Sequence, residues 1–174
     1  MASMEDYALD EMEQSERARL RGAFLRKPLS EVEPTRPRAV RRDATAAEAI
    51  RAMMDAHAGC VCIVEDGRLL GIFTERDVLN KVAGRGLDPA KVRVADVMTA
   101  NPEALHPEDE IVYCLAKMTV GGFRHVPLVD GDGRPVGIIA MRDIVRYLVS
   151  LFPEAVLNTA PEPALAEHKT PDGA

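Results

Sequence analysis

The sequence lacks tryptophan, and aromatic residues make up only 4% of its 174 residues, so its core must be aliphatic and rich in methionine. No apolar run approaches the roughly 18 residues that a membrane-spanning helix requires. The first residues are too acidic and polar for a secretory signal peptide. These absences predict a cytoplasmic protein without a membrane partner.

The sequence also lacks an excess of positive charge. Lysine and arginine number 22 against 28 aspartate and glutamate residues, for a net charge of −6. Because nucleic acids and anionic membranes bind basic surfaces, we expect neither as a partner. Cys60 and Cys62 alternate on a predicted strand, and Cys114 lies on a helical apolar stripe. This odd, apolar set indicates reduced packing cysteines rather than disulfides or metal ligands.

Motifs that carry catalysis are missing from the sequence. It contains no Gly-x-Ser-x-Gly, no phosphate-binding Walker loop and no His-Glu-x-x-His. Residues 130–133 imitate the start of a calcium-binding loop, but the twelfth position is Met141 instead of glutamate. We therefore expect no enzyme activity, no cofactor and no metal site.

A seven-residue stretch occurs twice, 66 residues apart. Residues 71–77 read Gly-Ile-Phe-Thr-Glu-Arg-Asp and residues 137–143 read Gly-Ile-Ile-Ala-Met-Arg-Asp, with four of seven positions identical. In each copy an apolar strand leads directly into a helical pattern. Thr74 is the predicted N-cap of the first helix, whereas Ala140 takes that place in the second copy. The chain is a tandem repeat.

Each repeat has the pattern β-α-β-β-α in about 60 residues. A unit of that size buries only about 60% of its unfolded surface and is marginal alone. We therefore expect two copies to pair their sheets with pseudo-two-fold symmetry in an α/β (α+β) fold. The predicted parts are a helical arm at 1–34, repeats at 35–95 and 96–152, and a loosely ordered tail at 153–174.

The arm contains one predicted charged helix, at residues 5–27, with acidic residues first and basic residues last, as the helix dipole favours. Its amphipathic pattern fits either packing on its own domain or docking on a second subunit. Within the repeats, a capping box at Thr45 opens the first helix. The remaining predicted elements are strands at 60–64 and 69–73, a helix at 75–83, a helix at 108–120, strands at 126–129 and 136–140, and a helix from 141 to about 152.

Two arginines occupy an unfavourable position on their helices. Arg76 and Arg142 both lie at N2, where a positive charge opposes the helix dipole by about 0.3–1 kcal/mol. Their recurrence suggests an anion supplied from outside, which free backbone N–H groups would also suit. The neighbouring residues also have a purely structural interpretation. Thr74 and Asp77 form an ordinary capping box, and the helix dipole stabilises the carboxylates of both Asp77 and Asp143.

Three motifs together resemble the cystathionine-β-synthase (CBS) domain family. They are residues 71–77, Val-Met-Thr-Ala-Asn-Pro at 97–102 and Phe-Arg-His-Val-Pro at 123–127. At this spacing they resemble a stand-alone CBS pair, or Bateman module, over residues 35–150. The resemblance implies energy sensing through an adenosine compound (AMP, ADP, ATP or S-adenosylmethionine) held in a cleft of the pair, and dimers formed through helical faces.

The resemblance also implies roles for particular residues. Thr74 and Asp77 match the family's hydroxyl and carboxylate that contact phosphate and ribose. Arg124 and His125 match an Arg-His pair that reaches a nucleotide held by the partner repeat. With Arg142, they are the cations towards which we expect the phosphates to point.

The mirror-image site is predicted to be weaker or empty. It has Asp143 and Arg76, but Ala140 removes the hydroxyl. At the sequence level, Ala58 and Gly59 take the place of the Arg-His pair.

The sequence therefore predicts a non-enzymatic regulatory homodimer that binds an adenine nucleotide and signals to a partner protein that the sequence does not identify. We expect the first 28 residues to support the dimer. The alternative is a ligand-free CBS-pair scaffold for oligomerisation. Ala140 favours the scaffold, whereas the set of Thr74, Asp77, Arg124 and Arg142 favours the sensor.

Overall fold

The computed structural model describes residues 22–151. Residues 22–25 are helical and residues 26–27 form a turn, so the helix predicted at 5–27 ends two residues early; its residues 5–21 lie outside the described residues, as does the predicted tail. Within 22–151 no helix combines the length and apolar character needed to cross a membrane.

The first repeat forms a four-stranded sheet. Its elements are β1 (Ala39–Arg41), α1 (Ala46–Asp55), β2 (Cys60–Glu65), β3 (Arg68–Thr74) and α2 (Glu75–Asp77). A π-helical turn, Val78–Val82, and a 3-10 turn, Ala83–Arg85, continue α2. Strand β1 runs parallel to β2, and β2 is antiparallel to β3. The sheet is completed by β4 (Thr99–Ala100), which comes from the connector and pairs with β3.

The second repeat follows the same plan. Helix α3 (Val94–Val97) precedes β4, and then come α4 (Ile111–Gly121), β5 (His125–Val129), β6 (Pro135–Ala140) and α5 (Met141–Leu151). Strands β5 and β6 form an antiparallel hairpin. Single bridges extend it on both sides, from Leu105 to Leu128 and from Thr35 to Ile138. The predicted tandem α+β repeat is confirmed.

Side-chain caps start the first-repeat helices, as the sequence predicts. Thr45 and Thr74 each accept a hydrogen bond from the N3 backbone and complete a capping box, with Glu48 and Asp77 respectively. The π-helical turn after Asp77 was not predicted. Such turns often mark functional sites, because they change which side chains share a face.

The segment before each repeat packs on the other repeat. Leu29 and Val32, from a 3-10 turn, join the core of the second repeat around Ile111. Val94 and Val97, from α3, join the core of the first repeat. This exchange ties the repeats together, because each core needs residues that precede the opposite repeat along the chain.

A third apolar cluster joins the two sheets. It contains Cys60, Cys62 and Ile72 from the first repeat and Ile138 from the second. Both cysteines lie on the same face of β2, as predicted, and all three cysteines of the chain are free and buried. Burial raises the pKa of each thiol to about 12, so they remain protonated packing groups.

The strand register shows which first-repeat residues are the structural counterparts of Arg124 and His125, and they differ from those that the sequence alignment suggests. Cys60 pairs with Thr74, and His125 pairs with Ala140. The structural counterpart of His125 is therefore Cys60, and that of Arg124 is Gly59. The sequence-level match to Ala58 and Gly59 is displaced by one residue, because the second hairpin is one residue longer than the first.

Candidate functional site

The two strand-helix junctions open onto one cleft of about 830 Å³. Residues of both repeats line it. They include six of the seven predicted site residues: Thr74, Arg76, Asp77, Arg124, His125 and Arg142. The seventh, Asp143, is not among the lining residues. The fold thus brings the two junction motifs, which lie 66 residues apart in the sequence, to the same cleft.

On the first-repeat side, a carboxylate is held against a hydroxyl. Asp77 Oδ2 accepts hydrogen bonds from Thr74 N at 2.9 Å and from Thr74 Oγ1 at 2.7 Å. The backbone N–H of Asp77 donates to Thr74 Oγ1 at 3.2 Å. Asp77 is only 6% exposed, so this capping box fixes a buried negative charge at the wall of the cleft.

The other carboxylate oxygen has two partners that the sequence analysis did not assign. Asp77 Oδ1 lies 2.7 Å from Lys81 Nζ and 3.2 Å from Thr99 Oγ1. Lys81 is one turn further along the same helix, and it also donates to Thr99 Oγ1 and Met98 O. A carboxylate has about four lone-pair sites, so all the acceptor capacity of Asp77 is in use.

Arg76 crosses from the first repeat to the second. One of its terminal nitrogens donates to Gly122 O at 2.8 Å, at the C-cap of α4. The carboxyl end of a helix carries partial negative charge. The cation that is unfavourable on its own helix therefore meets a favourable helix end on the other repeat.

Arg142 remains largely free of partners within the described residues. Its side chain is 64% exposed, and its nearest carboxylate contact is Nε to Asp143 Oδ1 at 3.9 Å. Arg124 makes no salt bridge with any carboxylate in residues 22–151. These two guanidinium groups are the available cations at the second-repeat side of the cleft.

His125 packs against the first repeat at a glycine. A Cβ on Gly59 would lie 2.9 Å from His125 Nε2, so only glycine leaves room for the ring. Burial, followed by the charge of Arg142, lowers the pKa of His125 below its ordinary value of 6.5. The imidazole is therefore neutral at pH 7 and can both donate and accept a hydrogen bond.

The mirror-image junction is closed around its carboxylate. Asp143 Oδ2 accepts from Ala140 N at 2.8 Å, the bond that Asp77 also makes, but no hydroxyl is present. Asp143 is 3% exposed, and its other oxygen lies 3.4 Å from Arg146. This carboxylate caps α5 without reaching the cleft.

The cleft also has apolar walls. The larger apolar side chains in its lining are Ile72, Leu79, Pro102, Phe123 and Met141. Leu79, on the π-helical turn, keeps 65% of its surface exposed there. Together with the arginines, these walls suit a ligand that has an apolar part and an anionic group.

Two of the residues missed by the sequence analysis lie in a motif that it had noticed. Thr99 and Asn101, within residues 97–102, line the cleft, but their roles were not assigned. Lys81 gave a usable signal, because it follows Asp77 by four residues on a predicted helix. Among residues 22–151, no group of three or more histidine, cysteine or acidic side chains is arranged to hold a metal ion.

The fold is a pair of tandem domains that share one cleft. A family model described as "CBS domain" matches the chain twice, at residues 29–84 and 94–150. The chain belongs to the CBS domain family and is a CBS pair. CBS pair proteins are regulatory.

Two relatives illustrate the range of the family. A 17.7 kDa protein of Acidianus ambivalens is 29% identical over 124 residues, or 71% of this chain and 74% of the relative. The CBS domain-containing protein CBSCBSPB1 of Arabidopsis thaliana is 32% identical over 133 residues, or 75% of this chain but only 24% of that protein. The pair therefore occurs both in small proteins and as part of larger ones.

Solved structures agree with the fold. A CBS-domain-containing protein from Agrobacterium tumefaciens has a TM-score of 0.63 at 31% identity, over 69% of this chain and 98% of that one. The CBS domain pair of protein MJ0100, solved with 5′-methylthioadenosine and S-adenosylmethionine, has a TM-score of 0.63 at 24% identity, over 70% and 99% of the two chains. At that identity the likeness to MJ0100 concerns the fold alone.

Proposed function

We propose that this CBS pair is a non-enzymatic, cytoplasmic regulatory module that binds an adenine nucleotide in its cleft and signals through conformation or assembly. One observation carries the proposal. A buried carboxylate of the first repeat and the least paired cations of the second, Arg124 and Arg142, line the same cleft. Within the lining, the carboxylate comes from one repeat and these two cations from the other, so the site requires the pair.

The ribose would lie at Thr74 and Asp77. Because Asp77 already uses all its acceptor sites, a ribose hydroxyl must replace one of its present partners. The hydroxyl of Thr99 has the longest of these contacts, 3.2 Å, and it is the partner that we expect to leave. The phosphate would then point to Arg124, Arg142 and the neutral imidazole of His125, with the base between apolar side chains.

Release of Thr99 offers a route for the signal. Thr99 belongs to β4, the strand from the connector between the repeats, which pairs with β3 at Gly71 and Ile72. A ligand that takes the place of Thr99 on Asp77 would favour a different position of this connector. A second link, from Arg76 to Gly122, lies at the same cleft and would respond to the same change.

Assembly is the second part of the proposal. Helix α5 leaves Val145 (53%), Leu148 (41%) and Leu151 (39%) exposed. An apolar helical face of this kind suits a second copy of the chain, and we expect a homodimer. The same face would serve a ligand-free scaffold, which Ala140 also favours. Sedimentation that shows a monomer at tens of micromolar protein would contradict the dimer.

A thermal-shift screen tests the binding function. The ligands are AMP, ADP, ATP, S-adenosylmethionine, 5′-methylthioadenosine, NAD and a cyclic dinucleotide. A ligand present at 100 times its dissociation constant adds about 2.7 kcal/mol to the free energy of unfolding. We expect at least one adenosine compound to raise the melting temperature of the wild type. An absence of any shift would favour the scaffold.

A further inference from the structure

Charged groups of both signs line the cleft. Three arginines, Arg76, Arg124 and Arg142, line it together with three carboxylates, Glu75, Asp77 and Glu103. Lys81 neutralises Asp77, and Lys117 forms a salt bridge with Glu103. Arg76 is held by a backbone carbonyl of the second repeat. Of the charged groups that line the cleft within residues 22–151, those left without a close partner of this kind are Arg124, Arg142 and Glu75.

Glu75 lies beside the proposed anion site. The point at which a Cβ on Gly59 would lie is 2.9 Å from His125 Nε2 and 3.5 Å from Glu75 Oε2. The carboxylate and the imidazole therefore share one wall of the cleft. Their charges also interact, since Glu75 acts to raise the pKa of His125 whereas Arg142 and Arg124 act to lower it.

Three arginines against one unpaired carboxylate leave two uncompensated positive charges when His125 is neutral, because the carbonyl that holds Arg76 carries no net charge. The phosphate of a nucleoside monophosphate, which carries about two negative charges at pH 7, would be matched by these charges. Each further phosphate would bring negative charge to a cleft wall that already carries Glu75, and like charges at short range repel. The positive charge of the cleft, rather than its volume, therefore limits the number of phosphates that a ligand can carry.

We propose that Glu75 restricts the site to a ligand with one anionic group, so that a nucleoside monophosphate binds in preference to a di- or triphosphate. This inference rests on the proposed function and names the ligand class of the same site. In the wild type, AMP binds about 10-fold more tightly than ATP, which corresponds to a like-charge penalty of about 1.4 kcal/mol. ADP lies between them. Added salt narrows the difference, because screening weakens exposed charges.

Calorimetric titration of adenosine, AMP, ADP and ATP, without divalent ions, tests the proposal. The variants are Glu75→Gln, which removes the charge and keeps the shape, and Glu75→Lys, which reverses the charge. Glu108→Gln is the matched control, because Glu108 is also an exposed glutamate but lies outside the cleft lining. Thermal unfolding of each variant confirms that it is folded.

Glu75→Gln is expected to tighten ATP binding about 10-fold and AMP binding less than 3-fold, with adenosine changed by less than 2-fold. Glu75→Lys is expected to make ATP the tighter ligand, and the control should match the wild type. Equal binding of AMP and ATP by the wild type overturns the role of Glu75 but leaves the proposed function intact. So does an equal gain for all four ligands in Glu75→Gln. Failure of all four to bind overturns both.

Discussion

Replacement of Arg142 by alanine should separate phosphate binding from nucleoside binding. The Arg142 side chain is 64% exposed, lines the cleft and makes only a long contact, 3.9 Å, with Asp143. A hydrogen bond to a charged group contributes about 1.5–3 kcal/mol. Because each 1.4 kcal/mol is tenfold in affinity, AMP binding should weaken by roughly 10- to 100-fold. Adenosine has no phosphate, so its affinity should be nearly unchanged.

The assay is calorimetric titration of both ligands into the wild type and into Arg142→Ala. Arg146→Ala is the matched control, because Arg146 lies on the same helix, contacts the same oxygen of Asp143 at 3.4 Å and does not line the cleft. It should bind AMP as the wild type does. Equal losses for adenosine and AMP in Arg142→Ala would refute the reasoning, since they would mean that Arg142 acts through the structure.

Four further predictions concern His125, Asp77 and the buried thiols. AMP affinity should rise as pH falls from 7.5 to 6. Burial, Arg142 and Arg124 hold the pKa of His125 below 6.5 against the opposing charges of Glu75 and Asp143, and a bound phosphate would raise this pKa. Binding would therefore take up a proton, which titrations in buffers of different ionisation enthalpy can measure. The depressed pKa also means that the free protein loses stability as pH falls below about 6.5, because the unfolded chain binds this proton first, and chemical denaturation of His125→Gln should show a smaller loss. Asp77→Asn should weaken the binding of adenosine and of AMP alike. It should also lower the free energy of unfolding by about 1.5–3 kcal/mol, because Lys81 loses a charge-assisted partner. Unchanged affinity in a folded variant would place the ligand elsewhere. The three thiols should resist a thiol reagent at pH 8 and react only on unfolding, since burial raises each pKa to about 12, and rapid labelling of native protein would contradict that burial.

The sequence was sufficient to predict features that depend on local chemistry. The repeat, the strand-helix junctions and both capping boxes follow from residue types at fixed spacing, as at Thr45 and Thr74. The burial of Cys60 and Cys62 on one face of a strand follows from alternation. Each of these features involves residues within a few positions of one another, where spacing determines geometry.

Features that depend on contacts between the repeats could not be predicted. The bond from Arg76 to Gly122 joins residues 46 positions apart, and no periodicity encodes it. The packing of Leu29 in the second core depends on how the repeats exchange their leading segments. The one-residue difference between the hairpins changed the counterpart of His125 from Gly59 to Cys60, because only the strand register determines which residues align.

The central claim is that the pair forms one dominant nucleotide site, built from Thr74 and Asp77 on one repeat and Arg142 on the other. The stoichiometry of AMP binding, measured by calorimetric titration of the wild type, tests it most directly. We expect one site per chain, because Asp143 is enclosed at the mirror-image junction and Ala140 offers no hydroxyl. Two equal sites per chain would contradict the asymmetry, and no binding at concentrations up to the millimolar range would contradict the claim itself.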